Sequence, residues 1–297
     1  MMTTKFTASP HLASAGSALR HGRTRLAALD DGSTTAQALL AYVLGLSRER
    51  VLAYPEATLT MQQAAAFERL LERAAAGEPL AYLTGRREFY GLEFEIDARV
   101  LVPRPETELL VDLARATQAE RILDVGTGSG CIIVALGKHL PTAALTAADI
   151  SPAALAVARR NAVKHSLSGR ITFVESDLLS AFGPSSSIVR PSSFDLITAN
   201  LPYIDRAELA RLPVSRYEPR VALDGGPGGL RLVERLLRQA PACLSPTGTL
   251  LLEIGAGQGP AAAAARAVFP SASIRVEHDL AGQDRVLVIQ LGARPAG

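Results

Sequence analysis

After residue 120, short apolar runs alternate with segments of helical periodicity, and this alternation constrains the fold more than any other feature. Such alternation predicts a mostly parallel α/β sheet with helices on both faces. We predict strands at 121–125, 144–150, 171–174, 194–199, 249–254, 273–277 and 285–290, and helices at 131–139, 152–165, 230–244 and 258–269. No helix separates the last two strands, so we expect them to pair antiparallel. The sheet then has about seven strands and a mixed edge.

The N-terminal part of the chain shows helical patterning instead of alternation. In residues 24–85, apolar side chains recur at helical spacing, which predicts a small helical-bundle domain. Ser33 or Thr34 is the candidate cap of its second helix, and Thr60 of its third. Residues 1–23 have no comparable pattern, and we predict a flexible leader there.

Residues 86–102 connect the two regions. Apolar and polar residues alternate around Gly91, which is typical of a β-hairpin, so we predict a hairpin linker. The segment 103–108, with sequence PRPETE, then breaks the chain and opens a helix at Leu109. Proline and acidic residues both suit a first helical turn. The predicted α/β domain spans 103–297.

The composition excludes several classes of protein. The chain is 48% apolar and 20% charged, as is typical of a soluble globular protein. Two cysteines, Cys131 and Cys243, are too few for a disulfide scaffold or a four-cysteine zinc site, and they fit a reducing, cytoplasmic setting. No run approaches 18 apolar residues, so we expect no membrane span. The five histidines do not cluster at metal spacing, so we expect no metal site.

The charge of the chain is nearly balanced. There are 31 basic and 29 acidic residues, for a formal net charge of +2. Proteins held to nucleic acid mainly by phosphate contacts normally carry a basic excess. We therefore expect no stable nucleic-acid partner.

A glycine-rich turn follows the first strand of the α/β region and opens a helix. Glycines at alternate positions let the backbone turn sharply and approach a ligand without a Cβ clash. A tight strand–helix turn without a ligand is the alternative interpretation. The pattern D-x-G-x-G-x-G resembles motif I of class I S-adenosylmethionine (SAM) methyltransferases, whose loop cradles the methionine part of the cofactor. The resemblance implies cofactor binding by Asp124, Gly126, Thr127, Gly128, Ser129 and Gly130.

Two more aspartates follow the next two strands. Asp149, with Ile150 after it, ends the second strand, where a carboxylate can accept both ribose hydroxyls. Asp177 follows the third strand, where the resemblance places a polar residue near the adenine and an apolar neighbour, Leu178, against its ring. Each aspartate alone could equally cap a helix. All three acids fall at carboxyl ends of strands, where open α/β sheets bind ligands.

The tetrapeptide Asn200-Leu201-Pro202-Tyr203 ends the fourth strand. It resembles the (N/D/S)-P-P-(Y/F) signature of methyltransferases that act on planar amino or amide nitrogen, with Leu201 in place of the first proline. The Asn200 oxygen can accept one N–H bond of such a group, and the backbone carbonyl after it can accept the other. Tyr203 offers a flat face to a planar substrate. The alternative is a strand followed by an Asn-initiated turn.

Two longer segments narrow the resemblance. Residues 86–112 and 217–230, with 250–255 and Gln258, are similar to the PrmC/HemK family of release factor glutamine N5-methyltransferases. The resemblance implies a seven-stranded Rossmann-like methyltransferase sheet, SAM as methyl donor, and the Gly-Gly-Gln glutamine of class 1 peptide chain release factors as substrate. It also implies that the helical domain contacts the release factor. We expect a cytoplasmic monomer in which Asn200, Leu201, Pro202 and Tyr203 form the catalytic pocket.

Several alternative interpretations accompany this one. In the family, Arg104-Pro105-Glu106 lies close to the active site, but Arg104 could equally form an ion pair at the helix N-terminus. A sister family methylates a glutamine of a ribosomal protein with the same catalytic residues. A DNA or RNA adenine-N6 methyltransferase uses the same tetrapeptide but would have to extrude its base and grip phosphates. A SAM-binding adaptor without activity is disfavoured by Asn200, and a dehydrogenase by the glycine spacing.

Overall fold

The computed structural model describes residues 12–183 and 194–292. The chain divides into two compact units, Met1–Gly85 and Arg86–Gly297. Residues 184–193 belong to a stretch rich in proline and serine that the sequence predicts to be a surface loop, and they lie outside the described residues. Across the described ranges, no helix is long and apolar enough to span a membrane.

Five helices make up the described part of the first unit and surround their own core. Leu26, Leu39, Phe67 and Leu71 are fully buried in it, which fits the helical spacing of apolar residues. The helices are α1 (Ala15–Arg25), α2 (Gly32–Leu44), α3 (Arg48–Ala53), α4 (Met61–Ala75) and α5 (Leu80–Thr84).

Helix α1 overturns part of the predicted leader. It begins after Ser14, whose hydroxyl accepts from the Ser17 backbone N–H at 3.3 Å, while the Ser17 hydroxyl accepts from the Ser14 backbone N–H at 3.0 Å. The prediction of flexibility is therefore wrong from residue 14 to residue 23, and residues 1–11 lie outside the described range. The buried face of α1 consists largely of small residues, which produce weak apolar periodicity. Gly22 is one of them, and an added Cβ would lie 2.9 Å from Cβ of Ala36.

The capping predictions have mixed outcomes. Helix α2 begins at Gly32 after Asp31, so Ser33 and Thr34 lie inside it and neither is its cap. The prediction for Thr60 is confirmed. Its hydroxyl accepts from the Gln63 N–H at 3.2 Å, and the Gln63 side chain accepts from the Thr60 N–H at 2.9 Å.

We predict that Thr60→Ala lowers the free energy of unfolding by about 1 kcal/mol, because two N–H groups at the start of α4 lose their acceptor or its orientation. Thr60→Ser keeps the hydroxyl and is the matched control. Urea unfolding followed by circular dichroism measures both variants. Equal losses in the two variants would contradict a capping role for the hydroxyl.

The second unit opens with the predicted hairpin. Strands β1 (Arg86–Phe89) and β2 (Leu92–Glu95) pair antiparallel. Tyr90 and Gly91 form the two-residue turn with φ of 55° and 70°, as a type I′ turn requires. A 3₁₀ turn at Pro105–Thr107 then leads into α6 (Glu108–Ala116).

The sheet has seven strands in the described residues, and its mostly parallel character is confirmed. The strand order is β5-β4-β3-β6-β7-β9-β8, with β9 antiparallel to both neighbours. The strands are β3 (Arg121–Val125), β4 (Ala144–Asp149), β5 (Ile171–Glu175), β6 (Phe194–Asn200), β7 (Leu244–Glu253), β8 (Ser273–His278) and β9 (Asp284–Gln290). The helices between them are α7 (Cys131–His139), α8 (Pro152–Lys164), α9 (Arg206–Leu209), α10 (Arg231–Gln239) and α11 (Pro260–Val268).

The predicted boundary between α10 and β7 is wrong. We expect a helix to Leu244 and a strand from Thr249, but α10 ends at Gln239 and β7 begins at Leu244. Pro241 lies in the 3₁₀ turn between them, where it has no N–H to continue a helix. Leu244 pairs with Phe194, and the register of β6 against β7 shifts after this pair.

The strand order shows at which edge of the sheet a ligand can bind. From β3 the chain proceeds outward through β4 and β5, then returns to the other side of β3 for β6 and β7. This reversal opens a crevice beyond the carboxyl ends of β3 and β6, where open α/β sheets bind ligands.

Candidate active site

The glycine-rich turn lies at the mouth of that crevice. Gly126, Gly128 and Gly130 have φ of 72°, 55° and 79°, which side-chain-bearing residues rarely adopt. The Gly126 and Thr127 N–H groups both donate to the Ala148 carbonyl, at 2.8 and 3.0 Å. This pair of bonds fixes the turn to β4 and leaves the start of α7 open toward the crevice.

Asp124 lies beneath this turn, without access to the crevice. It is fully buried, and its Oδ1 accepts from the Thr198 hydroxyl at 2.8 Å. Burial raises the pKa of Asp124 to about 6. The predicted direct contact of Asp124 with a cofactor therefore finds no support in its position, and its hydrogen bond joins β3 to Thr198 of β6.

Asp149 has the placement that the sequence predicts, at the carboxyl end of β4 beside the turn. Its Oδ2 accepts from the Gly128 N–H and its Oδ1 from the Ser151 N–H, both at 2.9 Å. Burial raises its pKa, although these backbone N–H groups oppose the shift. Each carboxylate oxygen keeps a second lone pair. Asp149 can therefore hold the turn and still accept hydrogen bonds from a ligand.

Asp177 follows β5 and is half-exposed. Arg235 of α10 forms an ion pair with it, at 2.7 Å between Nη2 and Oδ2. Leu178 next to it has φ of 54°, and its carbonyl accepts from the Ser176 hydroxyl at 2.8 Å. The sequence predicts Asp177 and Leu178 at this place but gives no signal for Arg235.

Asn200 ends β6 next to Glu253 of β7. Its Nδ2 donates to the hydroxyl of Thr107 at 3.1 Å. Thr107 lies in the Pro105–Thr107 turn and is 2% exposed. Because this bond uses the N–H side of the amide, Oδ1 of Asn200 is left as the acceptor for an incoming N–H group.

Leu201 is buried against the glycine turn. An added Cβ at Gly126 would lie 3.2 Å from Cδ2 of Leu201, so the glycine and the leucine fit one another closely. Leu201 thus supplies core packing where the resembled signature has a proline. Its backbone carbonyl is unchanged by the replacement.

Tyr203 is held from two sides. Gln258 donates from Nε2 to the Tyr203 carbonyl at 3.0 Å, and its Oε1 accepts from the Gly255 N–H at 2.9 Å. A Cβ at Gly255 would lie 3.1 Å from Cδ2 of the Tyr203 ring. Burial raises the pKa of Tyr203, so the phenol stays neutral.

The loop 224–230 closes over the tetrapeptide. Gly225 donates to the Ile204 carbonyl at 2.9 Å. A Cβ at Gly225 would lie 2.8 Å from the Pro202 carbonyl oxygen, and one at Gly229 would lie 2.2 Å from that of Tyr203. Two glycines are therefore required for this approach of one backbone to another.

We predict that Gly229→Ala lowers the rate of the methyl transfer implied by the sequence resemblance on the order of 100-fold, because the Tyr203 carbonyl must move by roughly 1 Å to admit the new Cβ. Gly228→Ala is the matched control. Its φ of 66° is close to the 71° of Gly229, but a Cβ there would meet nothing within 4 Å. A stopped methyl-transfer assay measures both. Equal loss in the two variants would show that strain, and not the clash, is responsible.

Arg104 has a partner outside its own helix. Its Nη2 contacts Oε1 of Glu218 at 2.6 Å, and Oε2 of Glu218 accepts from the Val102 N–H at 3.3 Å. Glu218 is buried. The alternative of an ion pair at the helix N-terminus is therefore wrong, and Arg104 joins the segment before α6 to the segment 217–220.

Many of these groups line a cavity of about 480 Å³ at the carboxyl ends of the strands. This volume lies in the usual range for small-molecule sites. Among the predicted site residues, Asp124, Gly130 and Tyr203 do not line it. Those that do are Gly126, Thr127, Gly128, Ser129, Asp149, Ile150, Asp177, Leu178, Asn200, Leu201 and Pro202.

Further lining residues come from segments to which the sequence assigns no cofactor role. Arg99, Val100, Leu101 and Pro103 contribute from the stretch after the hairpin, and the segment 220–235 contributes from the other side. Within the described ranges, no group of three or more His, Cys, Asp or Glu residues could hold a metal ion.

Two protein-family models match the chain. Residues 17–85 match the PrmC N-terminal domain, and residues 105–212 match the methyltransferase small domain. A release factor glutamine methyltransferase of Moorella thermoacetica is 44% identical over 256 residues, which cover 84% of this chain and 88% of the relative. The chain belongs to the release factor glutamine methyltransferase family.

Other comparisons agree with this family. A release factor glutamine methyltransferase of Cereibacter sphaeroides is 40% identical over an alignment that covers 94% of this chain and 99% of the relative. A methyltransferase of Pyrococcus furiosus has a crystal structure similar to this one, with a TM-score of 0.50 and 17% identity, over 79% of this chain and 100% of that one. The latter likeness concerns the fold alone. As a family member, the chain is a methyltransferase that uses SAM as its methyl donor.

Proposed function

We propose that this protein transfers a methyl group from SAM to the side-chain amide nitrogen of the glutamine in the Gly-Gly-Gln loop of class 1 peptide chain release factors. The observation that carries the proposal is the orientation of Asn200, whose Nδ2 donates to Thr107 at 3.1 Å and whose Oδ1 is left as an acceptor at the cavity. An amide NH₂ is the group that such an acceptor fits.

The cavity fits SAM as the cofactor. The turn from Gly126 to Gly128 brings bare backbone to the cavity wall, where side chains would fill the space. Asp149 offers two carboxylate oxygens with unused lone pairs for ribose hydroxyls. Asp177 and Leu178 supply a polar and an apolar contact for the adenine. When bound, SAM supplies an electrophilic methyl group on a sulfonium.

The chain's own residues would orient the amide. The lone pair of an amide nitrogen is delocalised, so the nitrogen is a poor nucleophile unless it is fixed in place. Oδ1 of Asn200 accepts one N–H of the substrate and the Leu201 carbonyl accepts the other. They would hold the substrate nitrogen in position for attack on the methyl group that SAM supplies. The new N–CH₃ bond would form as the S–CH₃ bond of SAM breaks, leaving S-adenosylhomocysteine, and the nitrogen would release one proton to solvent.

Pro202 and Tyr203 complete the pocket in this proposal. Tyr203 packs on Gly255 and its carbonyl is held by Gln258, so we assign its ring to the outer wall, where the substrate side chain enters. Asp124, before the glycine turn, and Gly130, at its end, take supporting positions. Gly130 is restricted because a Cβ there would lie 3.2 Å from Cα of Ala158.

We further propose that the helical region 24–85, extended at its start by α1, binds the release factor, with 86–102 as linker and 103–297 as the methyltransferase domain. The match of residues 17–85 to the PrmC N-terminal domain supports this division. We propose a cytoplasmic monomer without a stable nucleic-acid partner. A formal net charge of +2 supports the last point.

Methyl transfer to a purified class 1 release factor tests the proposal. The matched control is the same factor with the Gly-Gly-Gln glutamine replaced by alanine. We expect one methyl per molecule of the native factor and none on the control, measured by intact mass after incubation with SAM. Equal labelling of both factors would overturn the assignment of the glutamine.

A further inference from the structure

Three side chains meet where β6 and β7 end, below the cavity. Asn200 and Glu253 are neighbours across the two strands, and Thr107 comes from the turn before α6. Thr107 is 2% exposed and Glu253 is 1% exposed. Of the three, Asn200 and Thr107 line the cavity, and Glu253 lies behind them.

The hydrogen bond between Asn200 and Thr107 has a defined donor and acceptor. Nδ2 of Asn200 donates to Oγ1 of Thr107 at 3.1 Å. A hydroxyl that accepts this bond still has its own proton to donate, and the carboxyl of Glu253 is the acidic group that Thr107 and Asn200 both face. A carboxylate there can accept from the O–H of Thr107 and from the second N–H of Asn200. Together with the bond to Thr107, these hydrogen bonds would orient the Asn200 side chain with its nitrogen toward the protein interior.

The carboxyl group of Glu253 is buried without full hydrogen bonding. Its Oε2 is buried and has no hydrogen-bond partner in the described part of the chain. A buried carboxyl without full pairing destabilises a fold. Such a group at the end of a central strand, beside the reactive end of the cavity, is more readily explained by a role in the site than by stability.

We propose that Thr107 and Glu253 are positioning residues that fix the amide of Asn200, with its nitrogen toward the protein and its oxygen toward the substrate. This inference rests on the proposed function. If the amide turned over, its NH₂ would face the NH₂ of the substrate glutamine, and two donors would oppose one another. The rate would fall although SAM would bind as before.

The ionisation of Glu253 gives a second test of the proposal, the pH dependence of the rate. Burial raises its pKa to about 7, with Arg285 of β9 opposing and Glu106 reinforcing the shift. Tyr203 and Cys131 also feel its charge. The ionised form accepts two bonds, and the protonated form loses acceptor capacity. The rate of methyl transfer is therefore expected to fall as the pH falls through about 7, and Glu253→Gln is expected to be slow and to lack this acid limb.

Substitutions at Thr107 test the proposal. Thr107→Val keeps the shape and removes the hydroxyl, while Thr107→Ser keeps the hydroxyl. We measure single-turnover methyl transfer to a release factor at saturating SAM, and SAM affinity by calorimetry. We expect Thr107→Val to lose about 10- to 100-fold in rate with SAM affinity within about twofold of wild type. We expect Thr107→Ser to restore the rate to within about threefold.

The outcomes separate the inference from the function beneath it. A wild-type rate in Thr107→Val, or an equal loss in Thr107→Ser, overturns the positioning role. Should Thr107→Val fail to bind SAM, the pH profile of Glu253→Gln decides, and an acid limb like that of the wild type overturns the proposal. If the wild type transfers no methyl to the release factor, the proposed function is overturned and the inference falls with it.

Discussion

Replacing Asn200 by alanine is expected to lower the rate of methyl transfer by about 10²- to 10³-fold, the usual cost of removing one group that acts on the reacting atoms. SAM affinity is expected to remain largely intact, because Asp149 and the turn from Gly126 to Gly128 make the proposed cofactor contacts. Single-turnover transfer and calorimetric SAM binding measure the two effects separately.

Asn200→Asp is a useful companion variant. It keeps an oxygen acceptor but loses the N–H that donates to Thr107, and it places a second carboxyl beside Glu253. We expect it to be slow as well. If SAM affinity collapses in Asn200→Ala, Asn200 is a structural residue and its proposed catalytic role is wrong.

Asp149→Ala is expected to weaken SAM binding by about 10- to 100-fold, since hydrogen bonds to charged groups contribute about 1.5–3 kcal/mol. Two losses combine in this variant. The ribose hydroxyls lose their proposed acceptors, and the N–H groups of Gly128 and Ser151 lose theirs. Calorimetric titration with SAM measures the affinity.

Asp149→Asn separates the two losses. The amide keeps one acceptor oxygen and replaces the other by a donor, so we expect an affinity between those of the wild type and Asp149→Ala. An affinity unchanged in Asp149→Ala would remove this residue from the ribose and leave it only its bonds to the Gly128 and Ser151 N–H groups, since Ser151 is the cap of α8.

The elements of the α/β unit could be predicted from sequence because their signals are local. The strand 121–125 and the helix 131–139 have the predicted bounds, and β4 and β5 differ from the prediction by one residue each. Parallel strands buried on both faces appear as continuous apolar runs with glycine, proline or acidic residues at their ends. The placement of Asp149 beside the glycine turn follows from the same local signals.

Contacts between distant segments could not be predicted. Thr107 and Asn200 are 93 positions apart, and Arg104 and Glu218 are 114 apart. No spacing rule relates such pairs, so the roles of the PRPETE segment became visible only in the fold. Helix α1 has no clear sequence signal for a different reason, since small residues such as Gly22 allow close packing without apolar periodicity.

Leu201 shows how the structure accommodates a departure from the resembled signature. The resemblance alone shows a lost proline at this position. The structure shows a leucine side chain buried against Gly126, with Cδ2 within 3.2 Å of a Cβ added there. We infer that packing supplies the rigidity that the proline ring would otherwise give.

The most direct test of the central claim is tandem mass spectrometry of the Gly-Gly-Gln peptide after incubation of a class 1 release factor, a ribosomal-protein mixture and a DNA and RNA mixture with SAM and this protein. The account predicts one added methyl on the glutamine side chain of that peptide. No methyl there, together with one on a ribosomal protein or on an adenine base, would contradict it.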